Sequence, residues 1–124
     1  MNTGRRHRRR ARHFGRLAES LCAWHLRLLG YRIVARGFRT KVGEIDIVAR
    51  RGGVLAVVEV KGREDMATAA ESLGNRQRRR IARTAEAFVK ARPGFARLDI
   101  RFDVMLVRPW RLPRHLTGAW RTDD

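Results

Sequence analysis

Four ionisable side chains, Glu44, Asp46, Glu59 and Lys61, crowd one end of a largely apolar hairpin in the run GEIDIVARRGGVLAVVEVKGR, from Gly43 to Arg63. If Gly52-Gly53 forms a two-residue hairpin turn, which favours glycines because φ > 0 costs them nothing, Asp46 faces Glu59 and Glu44 faces Lys61. Strand side chains alternate with period two, so these four share one side and Ile45, Ile47, Val58 and Val60 share the other, a core face. Facing Cβ atoms lie about 4.5 to 5.5 Å apart, which lets Asp46 and Glu59 reach one cation. Mg²⁺, or Mn²⁺ in its place, suits such hard oxygen donors and is commonly held by one or two carboxylates with waters and phosphate oxygens. The backbone carbonyl of Val60 is a further candidate ligand. Lys61, beside that ion, is suited to position or help deprotonate an attacking water and to offset charge on a pentavalent phosphate.

Lysine usage supports that role. Of 29 Lys and Arg residues only three are lysine, namely Lys41, Lys61 and Lys90. Guanidinium is wider than ammonium and holds its proton more firmly, so a lysine here suggests a need that arginine does not meet. The competing expectation is that Lys61 pairs with Glu44 across the hairpin.

Positioning this cluster requires a small set of elements. Phe14, Leu17, Leu21, Trp24 and Leu28 recur at spacings of three and four, which predicts an amphipathic helix from Phe14 to Leu29, packed by those residues and ended by Gly30. A second stripe on it, Gly15, Glu19, Cys22 and Leu26, would turn Glu19 toward the sheet as an additional metal or water ligand, although periodicity alone favours an exposed carboxylate. Tyr31 to Phe38 reads as a strand, the hairpin spans roughly residues 43 to 62, and 62 to 75 has no clear period. A second helix is predicted from about Arg76 to Ala91, and a fourth strand from about 98 to 107. The fold class is α/β: a small mixed sheet flanked by helices, in the order α-β-β-β-α-β, with the hairpin at its centre. The chain divides into a basic arm without order of its own (1–13), one domain (14–108) and an irregular C-terminal tail (109–124).

Arg76, Arg78, Arg79 and Arg80 crowd the start of the second helix, where the macrodipole is already positive. An anion such as phosphate would relieve that, helped by free backbone N–H groups. The whole chain, 124 residues with a net charge of +17, has the balance of a protein that binds a polyanion. Cys22 is alone, which excludes a disulfide framework and a cysteine-based zinc site and suits the cytoplasm. The arm MNTGRRHRRRARH is followed by no unbroken apolar segment, so neither a signal peptide nor a transmembrane span is expected. Attachment of the first helix to an anionic membrane is set aside because its apolar residues are assigned to the core.

Taken together, these residues resemble the PD-(D/E)xK nuclease superfamily and, more closely, the YraN family of small bacterial proteins, relatives of archaeal Holliday-junction resolvases. The resemblance runs from about Gly15 to Val107. It rests on Glu19, Gly30-Tyr31, Gly43-Glu44-Ile45-Asp46, Val58-Glu59-Val60-Lys61, Arg63 and Arg101-Phe102-Asp103-Val104, with Ile45 where the superfamily often has Pro and Val57 where Phe would be expected. It implies a restriction-endonuclease-like core with Asp46, Glu59 and Lys61 as the catalytic triplet, Glu19 as a helix carboxylate, and Gln77 approaching the scissile phosphate. Arg63 and the arginines of the second helix would contact nucleic acid.

The expected activity is Mg²⁺- or Mn²⁺-dependent endonucleolytic hydrolysis of DNA, by in-line attack of water at the phosphorus, with branched or structured DNA as the candidate substrate. Resolving a symmetric junction would need two sites and hence a homodimer, by analogy alone. The alternative is a catalytically idle nucleic-acid-binding partner in DNA repair, recombination or uptake. Aromatic residues are not interleaved with basic ones, so recognition of backbone and shape is expected instead of base stacking.

Overall fold

A computed structural model describes residues 2–62 and 74–122, with side chains from residue 15 onward. Helix α1 (Asn2–Leu28) leads into strands β1 (Arg32–Arg39), β2 (Glu44–Arg51) and β3 (Val54–Gly62). Helix α2 (Asn75–Ala91) and a short 3₁₀ turn (Pro93–Phe95) precede β4 (Asp99–Val107) and β5 (Arg114–Trp120). The expected α-β-β-β-α-β order is observed, and β5 follows it. Side by side the strands run β1-β2-β3-β4-β5, antiparallel except for the β3–β4 pair. A parallel neighbour needs a crossover, and α2 lies in the chain between β3 and β4.

The hairpin has the expected register. Arg51 pairs with Val54 and the ladder continues to Ile47 against Val58, with Gly52 at φ 59 in the turn. Central β3 buries Leu55, Ala56, Val57 and Val58 in succession, as a strand covered on both faces must. One face packs Ile45, Val48, Leu55, Val57 and Val104 against Ile81, Ala85 and Phe88 of α2. The other packs Ile47, Ala49, Ala56, Val58 and Met105 against Ala18, Cys22, Ala23 and Leu26 of α1. The sheet is therefore the middle of three layers.

Three expectations need correction. The face of α1 that meets the sheet is the one carrying Ala18, Cys22, Ala23 and Leu26, whereas Leu17, Leu21, Trp24 and Leu28 are exposed. Small residues on α1, opposite Ala49 and Ala56, let the helix and sheet backbones come close; a count of large apolar side chains misses such a face. The tail is not irregular throughout, because β5 pairs with β4 and buries Trp120 against Phe102, with ring centroids 4.0 Å apart. Arginine, histidine, threonine and glycine gave it no strand alternation to read. Helix α1 also begins at Asn2, so its first half covers the basic arm, where arginine and alanine are good helix formers.

Asp103 on β4 has no exposed side-chain surface and accepts from several elements. Arg101 donates from Nε and Nη2 at 2.8 Å, Gly118 donates its backbone N–H at 2.9 Å, and His115 Nε2 lies 2.7 Å away. Arg101 Nη2 also donates to the Tyr31 hydroxyl at 2.6 Å. This network ties β5 and the start of β1 to β4. Burial opposes ionisation of Asp103, but the bonds from His115, Arg101 and Gly118 outweigh it and hold the carboxyl below its ordinary range. Asp103→Asn removes the charge and strands Arg101, and should cost about 3 kcal/mol or more in urea unfolding near neutral pH. Because the native pKa is depressed, the stabilisation is present above the ordinary carboxylate value and lost as pH falls through the native one. The gap between wild type and variant should narrow correspondingly in acid.

Candidate metal and nucleic-acid site

The ladder between β2 and β3 is regular as far as Ile47 and Val58, and the charged cluster begins where that pairing stops. Beyond it the Val60 backbone N–H donates to Asp46 Oδ2 at 2.8 Å, so a side chain takes the amide that a continuing ladder would give to the β2 backbone. Ile45 joins the α2-side core and Ile47 the α1-side core, although a regular pleat would put residues two apart on one face. The strand thus turns about Asp46 and leaves its carboxylate at the opening between layers.

Two cavities meet there. The first, about 400 Å³, lies beside α1 and is lined by Arg16, Glu19, Arg39, Glu44, Asp46 and Val60 among others. The second, about 500 Å³, lies beside the start of α2, where Glu44, Asp46 and Glu59 face Arg76, Gln77 and Arg80. Glu44 and Asp46 belong to both walls. Gly43 fixes the approach of α2: a Cβ there would lie 3.1 Å from Thr84 Oγ1 and 3.3 Å from Arg80 Cβ. Thr84 is buried and its hydroxyl donates to the Arg80 carbonyl at 2.7 Å, which leaves little room to yield.

Asp46, Glu59, Val60 and Lys61 are therefore brought together. Glu59 gains charge support from Lys61, whose Nζ is 3.8 Å from Glu59 Oε1. The competing alternative, a Lys61–Glu44 pair, does not form; Glu44 instead meets Arg39 Nη2 at 3.3 Å, because the neighbouring rung of β1 carries that arginine. Glu19 turns inward to the first cavity, and Arg36 Nε holds it at 3.1 Å. Gln77, Arg76 and Arg80 reach the second cavity, whereas Arg78 and Arg79 line a different one, with Trp120 and Arg121. Helical spacing separates these two sets of arginines onto different faces. Arg63 lies outside the described residues. Sequence reasoning did not assign Arg16, Arg36 or Arg39 to the site, and it placed Glu44 in the cluster without a role beyond pairing with Lys61. The available signal was Glu44 itself, an acid two positions before Asp46 that needs a cation on the adjoining strand.

Burial raises the pKa of both Asp46 and Glu59. For Asp46 the Val60 amide bond and Lys61 work against this rise, while Glu19 and Glu44 add to it. For Glu59 the charge of Asp46 adds to it, with Lys61 opposing. Two half-buried carboxylates each disfavour ionisation of the other, and a cation between them would remove that penalty. Cys22, beneath the site, has its thiol pushed up to about 12 by burial and then by the charges of Asp46 and Glu19, so it is neither a ready ligand nor a nucleophile.

Among the described residues no three His, Cys, Asp or Glu side chains are grouped to hold a metal ion. What converges is a pair of carboxylates with the Val60 backbone adjoining. That donor set fits an ion such as Mg²⁺, which keeps several waters and takes its remaining ligands from phosphate, and it does not fit a closed structural site.

The layered fold and the carboxylate–lysine strand are accompanied by a shared sequence. A profile of the family described as Uncharacterised protein family UPF0102 matches residues 18–107. A UPF0102 protein of Paramagnetospirillum magneticum is 51% identical over 113 residues, 88% of either chain. One from Parvibaculum lavamentivorans is 55% identical over 107 residues, 86% of this chain and 80% of its own, and one from Nitrobacter winogradskyi is 50% identical over 108 residues, 87% and 92% respectively. The chain belongs to the UPF0102 family, which is the YraN family. No helix among the described residues is long and apolar enough to cross a membrane.

The raised carboxylates have a consequence for stability. Their protons stay bound in the folded state at pH values where the unfolded chain has released them. This contribution is complete below ordinary carboxylate values and is lost as pH rises through the elevated native titration of the pair. Thermal melting from about pH 5 to about pH 9 should show a declining wild-type Tm and a flatter profile for Asp46→Asn/Glu59→Gln. Added Mg²⁺ at the alkaline end should raise the wild-type Tm and leave the double variant unmoved.

Proposed function

We propose that this protein is a metal-dependent endonuclease that hydrolyses DNA phosphodiester bonds. The observation that carries the reading is the placement of Asp46 and Glu59, two half-buried carboxylates with raised pKa values, in a cavity walled opposite by Arg76, Gln77 and Arg80, with Lys61 Nζ 3.8 Å from Glu59 Oε1. Bound Mg²⁺ or Mn²⁺ would supply Lewis-acid polarisation of the phosphoryl oxygen and stabilise the leaving oxygen. Asp46 and Glu59, with the Val60 carbonyl, are the residues that would hold it. Arg76 and Arg80 would neutralise the phosphodiester entering from the α2 side, and Gln77 can donate to a non-bridging oxygen. Lys61 is placed to orient the attacking water and to compensate charge as it builds on the phosphate. Glu19, held by Arg36 at the first cavity, offers an acceptor for water on the other side of Asp46.

The net charge of +17 supports a nucleic-acid substrate, and the arginines on two faces of α2 support contacts to more than one stretch of backbone. Branched or junction DNA and a homodimeric assembly remain part of the proposal by analogy with resolvases.

The test is cleavage of a labelled four-way junction, flap, linear duplex and single strand with Mg²⁺ or Mn²⁺, and with EDTA, by wild type and Lys61→Ala. Metal-dependent cutting should fall by about 10² or more in the variant. Asp46→Asn should abolish cutting yet keep or strengthen DNA binding, since a negative charge beside the phosphate is removed. No cutting of any substrate, with tight binding that survives Lys61→Ala, would establish the idle nucleic-acid-binding protein instead.

A further inference from the structure

The apolar residues of α1 that the core does not use form an exposed stripe: Leu17 (59% exposed), Leu21, Trp24 (51%) and Leu28 (64%). The stripe continues across a groove of about 620 Å³ to the segment after β4, where Trp110 and Leu112 stand out from the surface. Trp110 is fully exposed and holds φ at 61. Positive φ is costly for a bulky residue, and such strain is found where a side chain must be presented in a particular direction. A contiguous apolar surface of this kind on a chain otherwise rich in charge marks an interaction site.

The charges of the groove identify the occupant. Its described lining contains two charged residues, Arg108 and Arg111, and no acid. Arg108 Nε is buried and has no hydrogen-bond partner among the described residues. Two cations with no acid among the described lining favour a partner that brings carboxylates to the exposed edge of the groove. A second copy of this chain would bring arginine against arginine in a two-fold contact. A lipid surface would answer the charge, but it has no side chains to fill a concave slot between a helix and a loop.

We propose that this groove docks an acidic amphipathic helix of a partner protein, with Leu or aromatic side chains at i, i+3 and i+4 seated between α1 and Trp110 and an Asp or Glu reaching Arg108. Ala18 lines both this groove and the first cavity, while Leu17 and Glu19 on either side of it reach one each. The partner would thus sit against the same helix that carries Glu19. Docking there does not depend on whether the carboxylate site cuts DNA.

A displayed library of amphipathic helices, selected against the full chain, tests it. Enriched sequences should pair acidic residues with the apolar i, i+3, i+4 pattern. Their binding should weaken about tenfold or more with Trp110→Ala, Leu21→Ser or Arg108→Gln, variants whose circular dichroism and melting are checked against wild type. Replacing their acids with Lys should abolish binding. The proposal is overturned if nothing is enriched, if the enriched helices are basic or indifferent to charge, or if Trp110→Ala binds them equally. It is equally overturned if wild type sediments as a dimer that Leu21→Ser dissociates, or if phosphatidylglycerol vesicles bind this face while no helix does.

Discussion

The site rests on a single exchange of hydrogen-bond acceptors, in which the Asp46 carboxylate takes the Val60 amide just past the last β2–β3 rung. A buried amide must find an acceptor, and a carboxylate answers that need more strongly than a carbonyl does. The bond holds Asp46 next to the strand that carries Glu59 and Lys61, and it allows β2 to turn so that its neighbours Ile45 and Ile47 enter opposite cores. One contact thereby fixes the Asp46 carboxylate, ends the hairpin ladder and opens the gap between the layers. The same bond works against the pKa rise of Asp46, so it favours the ionised form that a cation requires.

Around that opening the three layers divide the work. The sheet supplies the carboxylates and the lysine from paired strands, where position is fixed by register. The α1 layer supplies Glu19, and the α2 layer supplies Arg76, Gln77 and Arg80. The tight fit of Gly43 against Thr84 and Arg80 sets the distance between the last group and the acids. At the far side of the sheet, the Asp103 network joins β4, β5 and Tyr31 through charge and contributes nothing to the cavity. The fold accordingly has one polar cluster tied together by hydrogen bonds and one, around Asp46, that opens onto two cavities.

The hairpin was legible because two glycines fix a turn, and a turn fixes every rung behind it; from that register alone Asp46 and Glu59 were placed together. The loss of the last rungs was not legible, since it depends on a side chain competing with backbone for one amide. For α1 the pattern misled, because Ala18, Cys22 and Ala23 are weak hydrophobic signals yet make the closest packing, while larger Leu17, Leu21 and Trp24 face outward. For Glu19 periodicity alone favoured an exposed carboxylate and the inward reading came from the family resemblance, although Cys22 and Leu26 on its stripe are both buried. The ion pair of Arg101 with Asp103 joins residues two apart on one strand, a spacing that alternation would equally have assigned to a solvated face. The division of the α2 arginines into two sets followed from helical geometry once the position of the sheet was known.

Cys22 lends the molecule a practical property. It is the chain's single cysteine, it is fully buried in the α1–sheet interface, and its thiol is held protonated at neutral pH. Thiol-directed reagents attack thiolate, so the native chain is nearly silent toward maleimides and iodoacetamides. A cysteine introduced at an exposed position can then carry a fluorophore or spin label without first removing the natural one, and distances between α1, α2 and the sheet become measurable in an otherwise unaltered protein.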